Sequence, residues 1–431
     1  MSCRDPMKKD ALWIRNQVKA HNRWFEESLP LIASENLLSP LAKEMMVSDF
    51  HDRYAEGMPG KRYYQGNKFV DRVEIRCMEL AQRLFRCSFA DVRPISGVVA
   101  NMAAIYALTS PGDLISTVAL SNGAHISTAT FGAVGFRGVN TVNYPWNARD
   151  MNIDVDGTIR LLLRERPKVA QFGLSVFLFP TPLKELHDAF EEIGCTVWYD
   201  AAHVLGLIAG GKFQDPLREG VTVLTASTHK TFPGPNHGMI LADGISEDLE
   251  KRIRRAVFPG VTSSHHLHAM AALATTLAEE EIYGESYATQ TIKNSKALGQ
   301  ALNELGLDVL CPHLDFTESH TIAVDVSKFG GGEEIANSLE QANIMANKNL
   351  LPGDESPVRP SGIRLGSQEL TRVGMRESEM KEVALLIWKV VSKKVKIERV
   401  KSEVKELKRG FTKIRYCLAE GKEAYQYHDF F

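Results

Sequence analysis

Two neighbouring stretches, TVWYDAAHVLG at residues 196–206 and VTVLTASTHKTFPGP at residues 221–235, decide the architecture of this chain. Each opens with an apolar, β-branched run and then breaks into small and polar residues, the pattern of a short buried strand that ends in a turn. Further runs of this kind stand at residues 114–118, 139–142, 169–172 and 239–241, and helical patterns at 96–108, 155–165 and 182–193 lie between them. Short strands joined by crossover helices build an α/β layer with a mainly parallel sheet. Ligands of such sheets bind beyond the carboxyl ends of the strands, so the residues just after each run carry the chemistry. Asp200 and His203 follow one run; His229 and Lys230 follow the next.

Outward from this layer, 431 residues allow two or three compact units at roughly 150 residues each. The expected division is an N-terminal helical arm over 1–50, a large domain over 51–285 and a smaller α+β domain over 286–431. A long helical stretch from 267 to 305 links the last two, strands are expected at 307–310, 321–326 and 363–366, and helices from 377 onward. Lys and Arg number 51 against 53 Asp and Glu, so no whole-molecule field draws in nucleic acid or an anionic membrane. Hydrophobic residues at 44% and charged residues at 24% are those of an ordinary globular protein. The most apolar stretch, 169–182, is broken by Gln171, Gly173 and Ser175 and is shorter than the ~20 residues a membrane helix needs. The charged N-terminus runs into no apolar segment, so no signal peptide is read there and a cytoplasmic location is expected. Six scattered cysteines without a CxxC pair read as free thiols in a reducing compartment. Residues 393–415 hold ten Lys/Arg against three Glu, with Val400, Val404, Leu407 and Phe411 at helical spacing, which reads as a packed helix with a solvated basic face.

The chemistry concentrates at the strand ends. Lys230, preceded by hydroxyl residues and His229, suits Schiff-base formation by a partly desolvated amine; by itself it reads more readily as a lysine in a surface turn. A carboxylate at Asp200 is costly to bury unless a cation pairs with it, and a protonated pyridine nitrogen is one such cation; a helix-capping role is the alternative. Ser96 and Gly97 precede a helix start that can cradle a phosphate or be an ordinary cap. His125 is placed to stack on a ring, or to sit as a core histidine. Taken together, Asp-x-x-His at one strand end and Ser/Thr-His-Lys at the next resemble the pyridoxal-phosphate enzymes of the aspartate aminotransferase-like fold.

The resemblance narrows along the chain. LIASENLLSP (31–40), RYAEGMPGKRYYQGN (53–67), SGVVAN (96–101), GAHIS (123–127), DAAHVLGLIAGG (200–211), STHKTFPGP (227–235), NKNLLP (347–352) and SGIRLGSQELTRVGM (361–375) together resemble the serine hydroxymethyltransferase family, particularly its archaeal-type branch. The match runs in order over some four-fifths of the chain. It implies pyridoxal 5'-phosphate as cofactor, a Schiff base at Lys230, Asp200 at the pyridine nitrogen and His125 over the ring. His203 and Ser175 would stand on the phenolate side, Ser96 and Gly97 at the phosphate, with Tyr54 and Ser264 reaching it from a neighbouring subunit. Arg364 would grip the amino acid carboxylate beside Ser34, and Glu56 would act as acid and base at the serine hydroxyl, with Tyr63 and Tyr64 lining the same place. Leu120, Asn347 and Ser356 match pterin-contacting positions. The implied partners are serine, glycine, a reduced pterin of the tetrahydrofolate or methanopterin type, and a second copy of the chain in a homodimer with shared sites.

Departures from the family pattern gather at the second substrate and the phosphate. Ala124 stands for a glycine, Thr128 for a histidine, Asn236-His237 for Arg-Gly, Ser263-Ser264 for Gly-Gly, and Val358 for an aromatic. These changes keep a carrier-independent aldolase or transaldolase acting on threonine or another β-hydroxy amino acid as the alternative activity. A catalytically silent pyridoxal-phosphate or RNA-binding protein using the basic segment 393–415 is a third reading, opposed by the joint retention of Lys230, Asp200, Glu56 and Arg364. His265, His266 and His268 have no Cys or acidic residue at ligand spacing, so no metal centre is expected.

Overall fold

The structure, a computed structural model, describes residues 5–354 and 358–430. Its centre is a seven-stranded sheet of β1 (Phe89–Asp91), β2 (Leu114–Thr117), β3 (Asn140–Asn143), β4 (Val169–Phe172), β5 (Thr196–Asp200), β6 (Val223–Ser227) and β7 (Gly238–Ala242). In space the order is β1-β7-β6-β5-β4-β2-β3. Neighbours are parallel except β7, which runs antiparallel to both β6 and β1. Every residue of β4, β6 and β7 is buried, as expected of central strands covered by helices on both faces. The edge strand β3, with the sequence NTVN, stays partly exposed.

Several expected boundaries shift by one or two residues, among them the two nearest the strand ends that carry the chemistry. The strand expected from residue 221 starts at Val223, because β6 takes its register from β5, with Trp198 opposite Val223 and Asp200 opposite Thr225. The helix expected from Ser96 begins at Gly97, since Ser96 is its cap and accepts the Val99 N–H at 3.3 Å.

The 38-residue helix Leu267–Glu304 joins two hydrophobic cores. Its first half puts Leu267, Met270, Leu273 and Leu277 into the core under the large sheet with Phe172, Tyr199 and Leu224. Its second half gives Leu298 and Leu302 to a second core with Val324, Leu365, Ile387 and Val404. Each such side chain contributes about 1.5–3 kcal/mol when fully buried. Over the second core lies an antiparallel sheet of β8 (Asp308–Val309), β9 (Thr321–Asp325), β10 (Asn347–Asn349) and β11 (Gly362–Gly366), ordered β8-β9-β11-β10. Leu29 and Leu31 from the N-terminal segment also enter this core, through a parallel pairing of Leu29–Pro30 with Ile344–Met345.

The basic segment is only partly a solvated face. Within its helix, Ile397–Lys408, Val400 and Val404 are buried as expected, but so is Lys408. Its Nζ donates to the Tyr425 hydroxyl at 2.9 Å and lies 4.1 Å from that ring's centre, and the hydroxyl donates to Glu369 at 2.8 Å. Among the described residues no helix is long and apolar enough to cross a membrane. Cys77, Cys87, Cys195, Cys311 and Cys417 are unpaired thiols; Cys3 lies outside the described residues.

Candidate active site

Asp200 ends β5, Lys230 stands just beyond β6, and the parallel pairing of the two strands brings both to one end of the sheet. Lys230 is buried. Burial pulls its amine down to about 8, with Asp200 opposing that shift and Arg364 adding to it. Its backbone is held by Asn36, whose Nδ2 donates to the Lys230 carbonyl at 2.6 Å and to the Tyr287 hydroxyl at 2.8 Å. The next residue, Thr231, ties this turn to the one after β5: its hydroxyl donates to the His203 carbonyl at 2.7 Å and accepts the Gly206 N–H at 3.1 Å.

Three imidazoles lie within electrostatic reach of Lys230. His203 is buried, held well below its usual pKa by burial and then by Lys230 and Arg364, and its ring stacks 5.7 Å from His320. His229 is lowered to about 4 by burial and by Lys230. The Nδ1 atoms of His203 and His229 are buried without a hydrogen-bond partner among the described residues. His125 is lowered by burial, with Asp200 opposing and Lys230 and Arg364 reinforcing. It caps a short turn by accepting the Ser127 N–H at Nδ1, 3.2 Å away.

The Gly97 position has no room for a side chain, because a Cβ there would stand 2.1 Å from Ser227 Oγ. The end of β6 and the amino end of the helix Gly97–Leu108, capped by Ser96, therefore meet closely, and the unpaired N–H groups of a helix start favour an anion. Across the cleft, Arg364 lies in β11, buried, with Nη1 donating to the Ser175 carbonyl at 2.7 Å and Nε to Asn347 Oδ1 at 3.2 Å. Burial alone pulls its pKa to about 10, with no carboxylate among the described residues offsetting it. A buried guanidinium without a counter-charge is costly, and a ligand carboxylate removes that cost. Ser34 is half-buried beside the end of this strand, where the Gly366 N–H donates to the Leu31 carbonyl at 2.7 Å. Leu120 borders a cavity of about 150 Å³ with Ala124, His125 and Thr128. Ser356 lies outside the described residues, and Val358 is 74% exposed.

The tyrosine loop stands apart. The Tyr54 hydroxyl donates to Glu56 Oε1 at 3.1 Å, the Tyr54 and Tyr64 rings meet edge-on at 4.8 Å, and Asn67 Nδ2 ties the carbonyls of both. Tyr54, Tyr63 and Tyr64 are exposed. Ser264 joins this loop, accepting the Ala55 N–H at 3.1 Å. Among the described residues none of these contacts reaches Lys230, Asp200 or Arg364 of the same chain. Of the histidine cluster, His265 lies 3.1 Å from the buried Glu74 carboxylate; His237, outside it in sequence, bonds the Val92 carbonyl at 2.8 Å. No group of three or more His, Cys, Asp or Glu among the described residues is placed to hold a metal.

Sequence reasoning missed Asn101, Ser127, Thr225 and Trp198, which form a buried polar chain behind Asp200 and His125. The only signal for it was a polar residue inside the otherwise apolar helix of SGVVAN.

The fit to pyridoxal phosphate rests on particular atoms. A carboxylate at the strand end, a desolvated lysine, unpartnered imidazole nitrogens and a glycine-walled helix start match a pyridine nitrogen, an aldehyde, ring oxygens and a phosphate. The class so defined is the pyridoxal-phosphate enzymes of the aspartate aminotransferase-like fold. The crystal structure of L-threonine transaldolase from Pseudomonas fluorescens, in its internal aldimine state, superposes with a TM-score of 0.89 at 27% identity, over 96% of this chain and 95% of that one. Within the class, the serine hydroxymethyltransferase family profile matches residues 8–387. Serine hydroxymethyltransferases of Thermoplasma volcanium and Methanopyrus kandleri are 56% and 52% identical, covering 97% and 95% of this chain and 98% and 96% of their own lengths. That of Methanocaldococcus jannaschii is 47% identical over 97% of this chain and 98% of its own. The chain belongs to the serine hydroxymethyltransferase family.

Proposed function

We propose that the protein moves the hydroxymethyl carbon of serine to a reduced pterin and leaves glycine, as a homodimer with shared sites. The observation that carries this reading is Arg364, a buried guanidinium within electrostatic reach of Lys230 and without a carboxylate partner among the described residues. The bound cofactor supplies an electron sink for the bond broken beside the substrate nitrogen. The chain's own residues do the rest. Arg364 holds the amino acid carboxylate in a charged, forked contact. With the cofactor bound, Asp200 would accept from its protonated ring nitrogen. At pH 7 an amine at about 8 is roughly 10% free base, against about 0.03% at the ordinary lysine value, so Lys230 is ready to attack a carbonyl. Glu56 of the partner chain takes and returns the proton at the serine hydroxyl, which explains why it lies with exposed tyrosines and away from its own Lys230. Val98, Met102 and Tyr106, exposed at i, i+4 and i+8 on the helix that opens with the phosphate cradle, form the apolar face such a dimer covers.

A second reading, pterin-independent cleavage of β-hydroxy amino acids, is favoured by the transaldolase likeness and by the exposed Val358 where an aromatic is expected. Purified, cofactor-loaded protein given serine with and without tetrahydrofolate or tetrahydromethanopterin separates the two. Glycine formation that requires one of the pterins supports the first. Rapid threonine cleavage beside serine turnover that ignores both pterins replaces it with the second.

A further inference from the structure

Behind the cofactor face, five buried polar side chains, Trp198, Thr225, Asn101, Asp200 and Ser127, are joined by hydrogen bonds that lead to the half-buried His125. Trp198 Nε1 can only donate, and its partner is Thr225 Oγ1 at 2.8 Å. Having accepted, the Thr225 hydroxyl gives its own proton to Asn101 Oδ1 at 2.7 Å. Asp200 settles which way the amide faces, because its carboxylate only accepts and the amide atom 2.8 Å from Oδ2 must therefore be the NH2. Asn101 Nδ2 then donates to Asp200 Oδ2 at 2.8 Å and to Ser127 Oγ at 3.2 Å. The Ser127 hydroxyl is left to donate to His125 Nδ1 at 2.8 Å, where the Ser127 backbone N–H also donates at 3.2 Å. A nitrogen that accepts two hydrogen bonds holds no proton of its own.

We propose that Asn101, aimed by Thr225 and Trp198, is a positioning residue that orients Asp200 toward the cofactor nitrogen and fixes His125 as the neutral Nε2–H tautomer. One amide thereby sets both the carboxylate at the ring edge and the imidazole over the ring face. Asp200 Oδ1 meanwhile accepts the Ala202 N–H at 2.9 Å, so both oxygens are held by donors that carry no charge. Trp198, Thr225, Asn101, Ser127 and Asp200 are at most 7% exposed and His125 is half-buried, so water is kept from the links behind the imidazole. The depressed basicity of His125 agrees with a neutral ring between Lys230, Arg364 and Asp200. The proposal rests on the pyridoxal-phosphate reading but not on the choice of one-carbon carrier.

Imidazole ¹⁵N NMR of the cofactor-loaded, histidine-labelled protein tests it near neutral pH, with His125 assigned by its loss in His125→Gln. The expected spectrum has the proton on Nε2 and a bare Nδ1; a proton on Nδ1 overturns the proposal. In Asn101→Ala, Ser127 Oγ is free to turn and accept, so a measurable fraction of Nδ1–H is expected. Loss of one hydrogen bond to a charged carboxylate should also weaken pyridoxal-phosphate affinity about tenfold. Ser127→Ala, which leaves the Asp200 contacts in place, should keep that affinity. An Asn101→Ala protein with unchanged tautomer and unchanged affinity reduces Asn101 to packing and refutes the inference. If that variant does not fold, the wild-type spectrum still decides. Serine turnover is not the readout, so a failure of the hydroxymethyl-transfer reading is separately visible.

Discussion

Division of the site between two chains is open to a quantitative mixing experiment. The Lys230→Ala chain lacks the amine and the Glu56→Gln chain lacks the loop carboxylate, so each homodimer should be inactive by itself. Within one chain the Tyr54–Glu56 loop is closed on Tyr64, Asn67 and Ser264, with Tyr54 and Tyr64 exposed and Glu56 half-buried, whereas Lys230 is buried among Asp200, Arg364 and His203. A hybrid dimer then contains one site with both defects and one with neither. Random reassortment of equal amounts makes about half of the dimers hybrid, each with one working site of two, so about a quarter of wild-type activity should return. The assay is pyridoxal-phosphate-loaded serine turnover after mixing, with chain exchange followed by native mass spectrometry of differently tagged chains. Recovery near zero despite demonstrated hybrids would refute a shared site and return Glu56 to its own subunit's chemistry.

Borohydride reduction of the cofactor-loaded protein followed by peptide mapping should tag Lys230, and a tag on another lysine ends its assignment. Arg364→Lys keeps the charge but loses the fork, and should raise the KM for serine roughly tenfold or more with the visible cofactor spectrum intact. Gly97→Ala puts a methyl 2.1 Å from Ser227 Oγ; relief of that clash should cost about 1–3 kcal/mol and weaken cofactor binding, measured by melting and by spectral titration. Glu280 has neither carboxylate oxygen hydrogen-bonded among the described residues and is pushed by burial to about 8 from 4.5. The folded chain therefore binds the extra proton between those values, and stability falls as pH rises through that window by at most about 1.4 kcal/mol per unit. Glu280→Gln should show a melting advantage that grows up to about pH 8 and is flat above it; a pH-independent difference would refute the shift.

What could be read from the chain and what could not divide along sequence distance. The strand at 169–172 matches at both ends because alternation of apolar runs and turns is written locally, and the same holds for the lysine and aspartate at the strand ends. Leu29 and Leu31 belong to the second core through a partner strand more than 300 residues away, and nothing near residue 30 announces that. Lys408 looks like one more cation on a basic helix until Tyr425 and Glu369 enclose it. Asn101 is the sharpest case. A single polar residue in an apolar helix is explicable only once Thr225, 124 positions later, lies beside it. Burial without a partner would exclude an amide there, so its presence implied a partner while concealing which one. Asp200 and Lys230 are visible in sequence because they stand at strand ends; the residues that aim them are bound only by contact in space, and the fold alone reveals them.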